Sequence, residues 1–213
     1  MIKLPDVTLL AISSIKIPET IQALEISMRD LEFGDVKFIS HIKPEDLPKN
    51  IKHEYCPEIK STRDFDFYAF EELGKHIETT HMLMVQYHAF VLRPWMWDND
   101  WLKYDFIGAP WYESPWFVHL TTGEMIRVGN GGFSLRSKRV MDLPKKLNIH
   151  PVNDRGFTND DGMINNYYRE LFKENGIVYP DVYVAARFSH ENDVPENRGV
   201  LTFGFHRYPN YHV

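Results

Sequence analysis

A strand, a helix and a second strand near the N-terminus constrain this chain more than any other feature. Val7-Thr-Leu-Leu-Ala-Ile-Ser-Ser14 is an apolar run that ends in two hydroxyls. Thr20 to Leu31 then places Ile21, Leu24, Met28 and Leu31 at helical spacing behind Pro18 and Glu19, and Gly34 ends it. Val36-Lys-Phe-Ile-Ser40 is apolar again. A strand, crossover helix and strand within about 35 residues is the right-handed parallel unit of nucleotide-binding α/β folds. Met82 to Val85 is short and wholly apolar, as a strand buried on both faces must be. The expectation is an α/β domain spanning 1–213, with a mostly parallel mixed sheet of about six strands, helices on both faces, and Val7–Ser14 and Met82–Val85 in the interior.

Ligands in such sheets bind beyond the carboxyl ends of the strands. Gln86, Tyr87 and His88 follow the central strand directly and are candidates on that ground. In Val128-Gly-Asn-Gly-Gly-Phe-Ser-Leu-Arg-Ser137, Asn130, Gly131 and Gly132 belong to a turn whose backbone can approach a flat or charged group closely. Four of the five tryptophans fall between Trp95 and Trp111. They form either a local aromatic core or a stacking surface for a sugar ring, with Trp111 the one expected to be exposed because it follows a proline. Asp98-Asn-Asp100 has metal-motif spacing but sits among helix-start signals and reads as a surface turn.

The remaining chain is read as support. Residues 43–61, with Pro44, Pro48 and Pro57, form an irregular loop. Thr62 to Gly74 is a helix with Phe67, Phe70 and Leu73 on its inner face, and Arg63 and Asp64 at its start either cap it or face a ligand. Ser137 to Leu143 is a short helix stopped before Pro144, and 144–151 a loop. Thr158 and Asp161 stand at capping-box spacing before another helix, with Asp160 and Asp161 at its positive end, and Gly176-Ile-Val-Tyr179 is strand-like.

A net charge of −6 with no Lys/Arg run argues against nucleic acid as a partner. The single cysteine, Cys56, forms no internal disulfide, no window approaches the ~18 apolar residues of a membrane span, and no secretory h-region opens the chain. These features predict a soluble cytoplasmic protein, in a host cytoplasm if the chain is viral.

Five strings occurring in order, Val85-Gln-Tyr-His-Ala-Phe-Val-Leu92, Tyr104-Asp-Phe-Ile-Gly-Ala-Pro-Trp111, the glycine turn of residues 128–137, Ala186-Arg-Phe-Ser189 and Phe203-Gly-Phe-His206, make the chain resemble a family of GT-A type glycosyltransferase-like domains. The resemblance spans most of the chain. It implies transfer of a hexose or deoxyhexose from a UDP-sugar to a glycan or glycoprotein acceptor, in viral or surface glycan assembly, with further domains able to follow C-terminally. It also implies a divalent metal, Mn²⁺ or Mg²⁺, at the donor diphosphate. Family members carry Gln-X-Asp-Gly where this chain has Gln86-Tyr87-His88-Ala89, so the implied metal ligands are His88, His206 and Gln86, a set that binds hard cations more weakly than carboxylates do. Ser13, Ser14, Arg63, Asp64, Gln86, Tyr87, Trp111, Asn130, Gly131 and Gly132 are the implied donor contacts. Asp160 and Asp161 are the implied catalytic carboxylates, as base in an inverting mechanism or as the carboxylate beside the sugar in a retaining one. A lectin-like module, or an inactive GT-A scaffold, is the alternative.

Overall fold

The computed structural model describes residues 1–119, 121–152 and 159–207. Its first unit is β1 (Ile2–Ile12), α1 (Ile17–Ser27) and β2 (Leu31–Ser40), followed by β3 (Lys52–Tyr55) and α2 (Thr62–Glu71). The central strand is β4 (His81–Val85), and β5 (Phe106–Ile107), β6 (Ser134–Ser137) and α3 (Lys138–Leu147) come next. A short helix α4 (Asp160–Gly162) runs through a π-helical turn (Met163–Tyr167) towards α5 (Arg169–Glu174). Then come α6 (Val182–Phe188), β7 (Ser189–His190) and β8 (Gly204–Phe205).

The sheet order is β3-β2-β1-β4-β6-β5, with β7 and β8 forming a small second sheet. The pairings of β1 with β2 and β4, and of β2 with β3, are parallel; β6 runs antiparallel between β4 and β5. Both expected interior strands are interior. Because side chains alternate across a strand, β1 supplies Leu9 and Ala11 to one layer and Leu10 and Ile12 to the other. The first layer is closed by Ile21 and Leu24 of α1 and Phe188 of α6, the second by Phe70 of α2, Val140 of α3 and Phe172 of α5. This is a GT-A-like α/β sandwich with helices on both faces.

Several boundaries differ from expectation, each for a local reason. β1 starts at Ile2 and stops before Ser13 and Ser14, and its register slips between Leu4 and Thr8, where Pro5 has no N–H for the ladder. Gly34 lies inside β2, not at a helix end: a Cβ there would strike the Pro5 carbonyl. Accordingly α1 ends at Ser27, and Leu31 opens the next strand. β3 lies in the segment expected to be a loop, its polar Lys-His-Glu-Tyr sequence suiting an edge strand that only β2 pairs. Pro144 is within α3, where its missing N–H costs one late hydrogen bond, and Leu147 beyond it packs on the core. Gly176–Tyr179 forms no strand; Val178 is held instead by the Asp105 carboxylate, to which its N–H donates at 2.7 Å. Thr158 lies outside the described residues. Asp98-Asn-Asp100 is the turn expected, with the Asp98 carboxylate accepting from the Asp100 N–H at 3.0 Å.

The tryptophans divide between the two readings. Trp101 is buried, packed edge-on against Trp97 and Phe188 with ring centroids 5.5 and 5.1 Å away, and Trp95 is exposed.

One buried cation joins the sheet to the helix that begins at Asp160. Arg136 of β6 has no exposed surface; its guanidinium meets the Asp160 carboxylate at 2.5 Å, donates to the Gly131 carbonyl at 3.1 Å and to Ser134 Oγ at 2.9 Å, and lies over the Phe106 ring. Replacing Arg136 with Leu leaves the Asp160 charge buried without its cation, and leaves the Gly131 carbonyl only the Ser134 hydroxyl as donor. We expect a loss of about 3 kcal/mol or more, read from urea midpoints; a loss below ~1 kcal/mol removes the pair from the structural account.

Candidate functional site

A cavity of about 450 Å³ opens beyond the carboxyl end of β4. Gln86 reaches it from the end of β4, Asn130, Gly131 and Gly132 from the turn before β6, Thr62, Phe65 and Asp66 from the start of α2, Asp160 and Asp161 from α4, and Glu191, His206 and Arg207 from the segments after β7 and β8. Trp111, Tyr112, Trp116 and Phe117 form a further part of the wall. The polar groups beyond β4 and the glycine turn, both legible in the sequence, therefore meet in one place.

The glycine turn is fixed by its own asparagine. Asn130 is buried in the left-handed region at φ 74°, where asparagine is tolerated better than most residues. Its Oδ1 accepts from the Gly132 N–H at 2.8 Å, its own N–H donates to Asp161 Oδ2 at 2.9 Å, and its Nδ2 has no protein partner. Gly132 is required for space, since a Cβ would collide with the His206 ring.

Three aspartates crowd the cavity, and among the described residues only one is paired with a cation. Asp160 has Arg136. Asp161 accepts from the Gly162 N–H at 2.9 Å as well as from Asn130; burial, then the charges of Asp160 and Glu191, push its carboxyl up to about 7. Asp66, buried on α2, accepts from the Asp160 N–H at 3.4 Å; burial, then the charge of Asp160, pushes it up to about 8. Asp66 was not among the residues singled out from the sequence. Its signal was present: it stands four residues before Phe70 on the apolar face of an amphipathic helix, where a carboxylate needs a reason.

His206 is buried, its Nδ1 bonded to Glu191 Oε1 at 2.9 Å and its Nε2 without a protein partner. His88 sits behind it, 4.8 Å away centroid to centroid and nearly edge-on, with Tyr87 stacked on its other face at 4.2 Å. Arg207 donates through Nε to His88 Nε2 at 2.9 Å and through its backbone N–H to the His88 carbonyl at 3.1 Å. Burial, then the neighbouring His206 ring and the Arg207 guanidinium, hold His88 down at about 3, a neutral acceptor at any physiological pH.

Of the residues singled out from sequence, Gln86, Trp111, Asn130, Gly131, Gly132, Asp160, Asp161 and His206 line the cavity. Tyr87 and His88 stand behind it. Ser13 Oγ turns to the Ile15 carbonyl, Ser14 Oγ accepts from the Ile59 N–H at 2.8 Å, Arg63 stacks on Phe67 at 4.9 Å, and Asp64 accepts from the Lys60 N–H at 3.1 Å; none of these four is in the cavity wall. Trp111 is not the exposed ring. Phe117 stacks on it at 4.5 Å and Gly129 packs beneath, leaving it 7% exposed, whereas Trp116 is 73% and Tyr112 49% exposed. Among the described residues no helix is long and apolar enough to cross a membrane, and no three His, Cys, Asp or Glu side chains are gathered to hold a metal ion by themselves.

Two solved structures share the architecture. A glycosyltransferase involved in glycosylation of the major capsid of PBCV-1 aligns with 94% of this chain and 92% of its own at a TM-score of 0.50 and 12% identity. The mannosyltransferase PcManGT of Pyrobaculum calidifontis, solved with GDP-Man and Mn²⁺, aligns with 84% of this chain at a TM-score of 0.45 and 13% identity, and the chain spans 57% of its length. At such identities the likeness is one of fold. No curated protein sequence matches the chain. The family model described as a protein of unknown function, DUF5672, matches residues 50–206, and the chain belongs to that family.

Proposed function

We propose that this chain is a nucleotide-sugar-dependent glycosyltransferase that moves a hexose or deoxyhexose from a UDP-sugar to a glycan or glycoprotein acceptor. The observation that carries this reading is a strand-end cavity holding a carboxyl with a near-neutral pKa, Asp161, together with the partnerless Nε2 of His206 and Nδ2 of Asn130. The GT-A-like fold supports the reaction class, and the sequence resemblance supports UDP.

In this reading Asp161 takes the proton of the acceptor hydroxyl, a task for which a pKa near the working pH is best suited. Asp160 acts through Arg136, holding the helix start in place. Asp66, protonated below about pH 8, adds no second negative charge beside the diphosphate at neutral pH. Asn130 Nδ2 offers a hydrogen bond to a donor oxygen.

The donor chemistry fits a divalent cation. Glu191 fixes the His206 tautomer with Nε2 as the free lone pair, the arrangement found behind ligating imidazoles, and Gln86 and Glu191 add hard oxygens. His206 and Gln86 would hold Mn²⁺ or Mg²⁺, which would supply charge neutralisation for the leaving diphosphate. His88 is left out of that set because the Arg207 guanidinium already occupies its Nε2; its part is to hold Arg207. The absence, among the described residues, of a ready three-residue metal cluster favours a second reading, an inactive GT-A scaffold. Binding separates the readings.

A thermal-shift panel should show UDP with Mn²⁺ stabilising the protein more than GDP or CMP, by about 2.7 kcal/mol at a hundredfold excess over Kd. Equal shifts from GDP would remove the UDP preference, and no nucleotide shift would leave the scaffold or lectin reading. His206→Ala should weaken Mn²⁺-dependent UDP binding about ten-fold or more; unchanged affinity takes His206 out of the metal set. Asp161→Asn should lower kcat by about 100-fold or more. The base works only when deprotonated, so the wild-type rate should rise with pH through about 7, and a profile that is flat across that value would discard Asp161 as base.

A further inference from the structure

We infer that Trp116, with Tyr112 beside it, is the platform on which the apolar face of a neutral acceptor pyranose stacks; the assignment of this sugar as acceptor rests on the glycosyltransferase reading. Trp116 is 73% and Tyr112 49% exposed, and both line the cavity. Large aromatic surface left open at a cavity mouth is surface without a protein partner, and the C–H face of a pyranose is the complementary one.

The backbone that carries the ring is held in place. Ser114 Oγ accepts from the Trp116 N–H at 3.3 Å, the Phe117 carbonyl accepts from the Ile126 N–H at 2.7 Å, and Val118 pairs with Met125 across the loop. Arg127 ties the base of this strap down, donating to the Trp111 carbonyl, to Glu113 and to Glu196, each at 2.9 Å. A platform on a fixed loop loses little entropy when a ring settles on it.

Charge decides which half of the substrate belongs here. A nucleoside diphosphate needs cations, and the cation on this strap, Arg127, is already committed to two carboxylates. The strap therefore offers aromatic faces, and Arg127 with Glu113 and Glu196 leaves one negative charge in excess at its base. That combination admits an uncharged sugar and repels a uronic acid. The opposite wall, with His206, Glu191 and Gln86, carries the groups suited to a diphosphate and its cation.

The test uses the intact chain, methyl glucoside, methyl galactoside and methyl mannoside as probes, and methyl glucuronide as the charged control. Tryptophan emission should change on titration with at least one neutral glycoside. Trp116→Ala should weaken that glycoside by about ten-fold or more, the loss of one stacking contact, while Trp116→Phe retains most of the affinity. The thermal shift produced by UDP should persist in Trp116→Ala. Glycoside binding that survives Trp116→Ala, the absence of binding by any neutral glycoside, or glucuronide binding as tightly as the neutral sugars, each overturns the proposal. Loss of the UDP shift together with the glycoside overturns the acceptor assignment and moves Trp116 to the donor side. Glycoside binding that needs Trp116 in a protein that ignores UDP would uphold the sugar platform and sink the glycosyltransferase reading.

Discussion

The buried contact between Arg136 and Asp160 is the constraint on which the site depends. Two charges with almost no exposed surface meet at 2.5 Å, and the guanidinium also holds the Gly131 carbonyl. Such pairs are weak sources of net stability, because desolvation consumes the attraction, but they are severe about geometry: either partner alone is a bare charge in the interior. The pair therefore fixes where α4 begins relative to β6. It also divides the charge of three neighbouring aspartates unequally. Asp160 is answered by Arg136; Asp66 and Asp161 lie beside it with no cation of their own among the described residues, and burial and the Asp160 charge raise both.

The histidines form a second ordered arrangement, directional rather than ionic. Glu191 holds Nδ1 of His206, the His88 ring lies against His206 nearly edge-on, and Arg207 closes the far side by donating to His88. A neutral His88 is the only form compatible with that guanidinium, so His88 serves as an acceptor that orients an arginine. The consequence reaches the cavity wall, where Arg207 itself appears.

The sheet was legible because its signals are those of burial. Val7 to Ile12 and Met82 to Val85 are too apolar to lie anywhere but between two helical layers, and the helix between β1 and β2 carries the chain back to the end of the sheet where β1 began, which makes the pair parallel. Gln86, Asn130–Gly132, Asp160, Asp161 and His206 were singled out as polar or glycine-rich positions with few structural reasons to exist, and all of them line the same cavity. What the sequence hid depends on contacts between distant segments. β3 is polar and strand-like only because β2 offers it an edge. Trp111 follows a proline as an exposed residue would, yet Phe117, six residues later, covers it and leaves Trp116 outside. Asp66 was not singled out in the sequence, and its burial appears only when α4 packs against α2.

Asn130 shows how these parts are coupled. A left-handed asparagine carries a strain of order 1 kcal/mol and persists only where its surroundings determine it more than once. Here its side chain accepts from the Gly132 and Phe133 N–H groups at 2.8 and 3.4 Å, and its backbone N–H is bound to Asp161. The turn cannot relax without releasing the carboxylate, and the carboxylate cannot swing away without leaving a buried N–H unpaired. Arg136 meanwhile grips Gly131 from beneath, and Gly132 keeps clear the space that the His206 ring fills. Three consecutive residues thus contact the proposed base, the buried cation and the proposed metal-ligating histidine. A shift in any one of those partners must pass through the same short stretch of backbone to reach the others, which makes the turn the junction of the site rather than a passive lining of it.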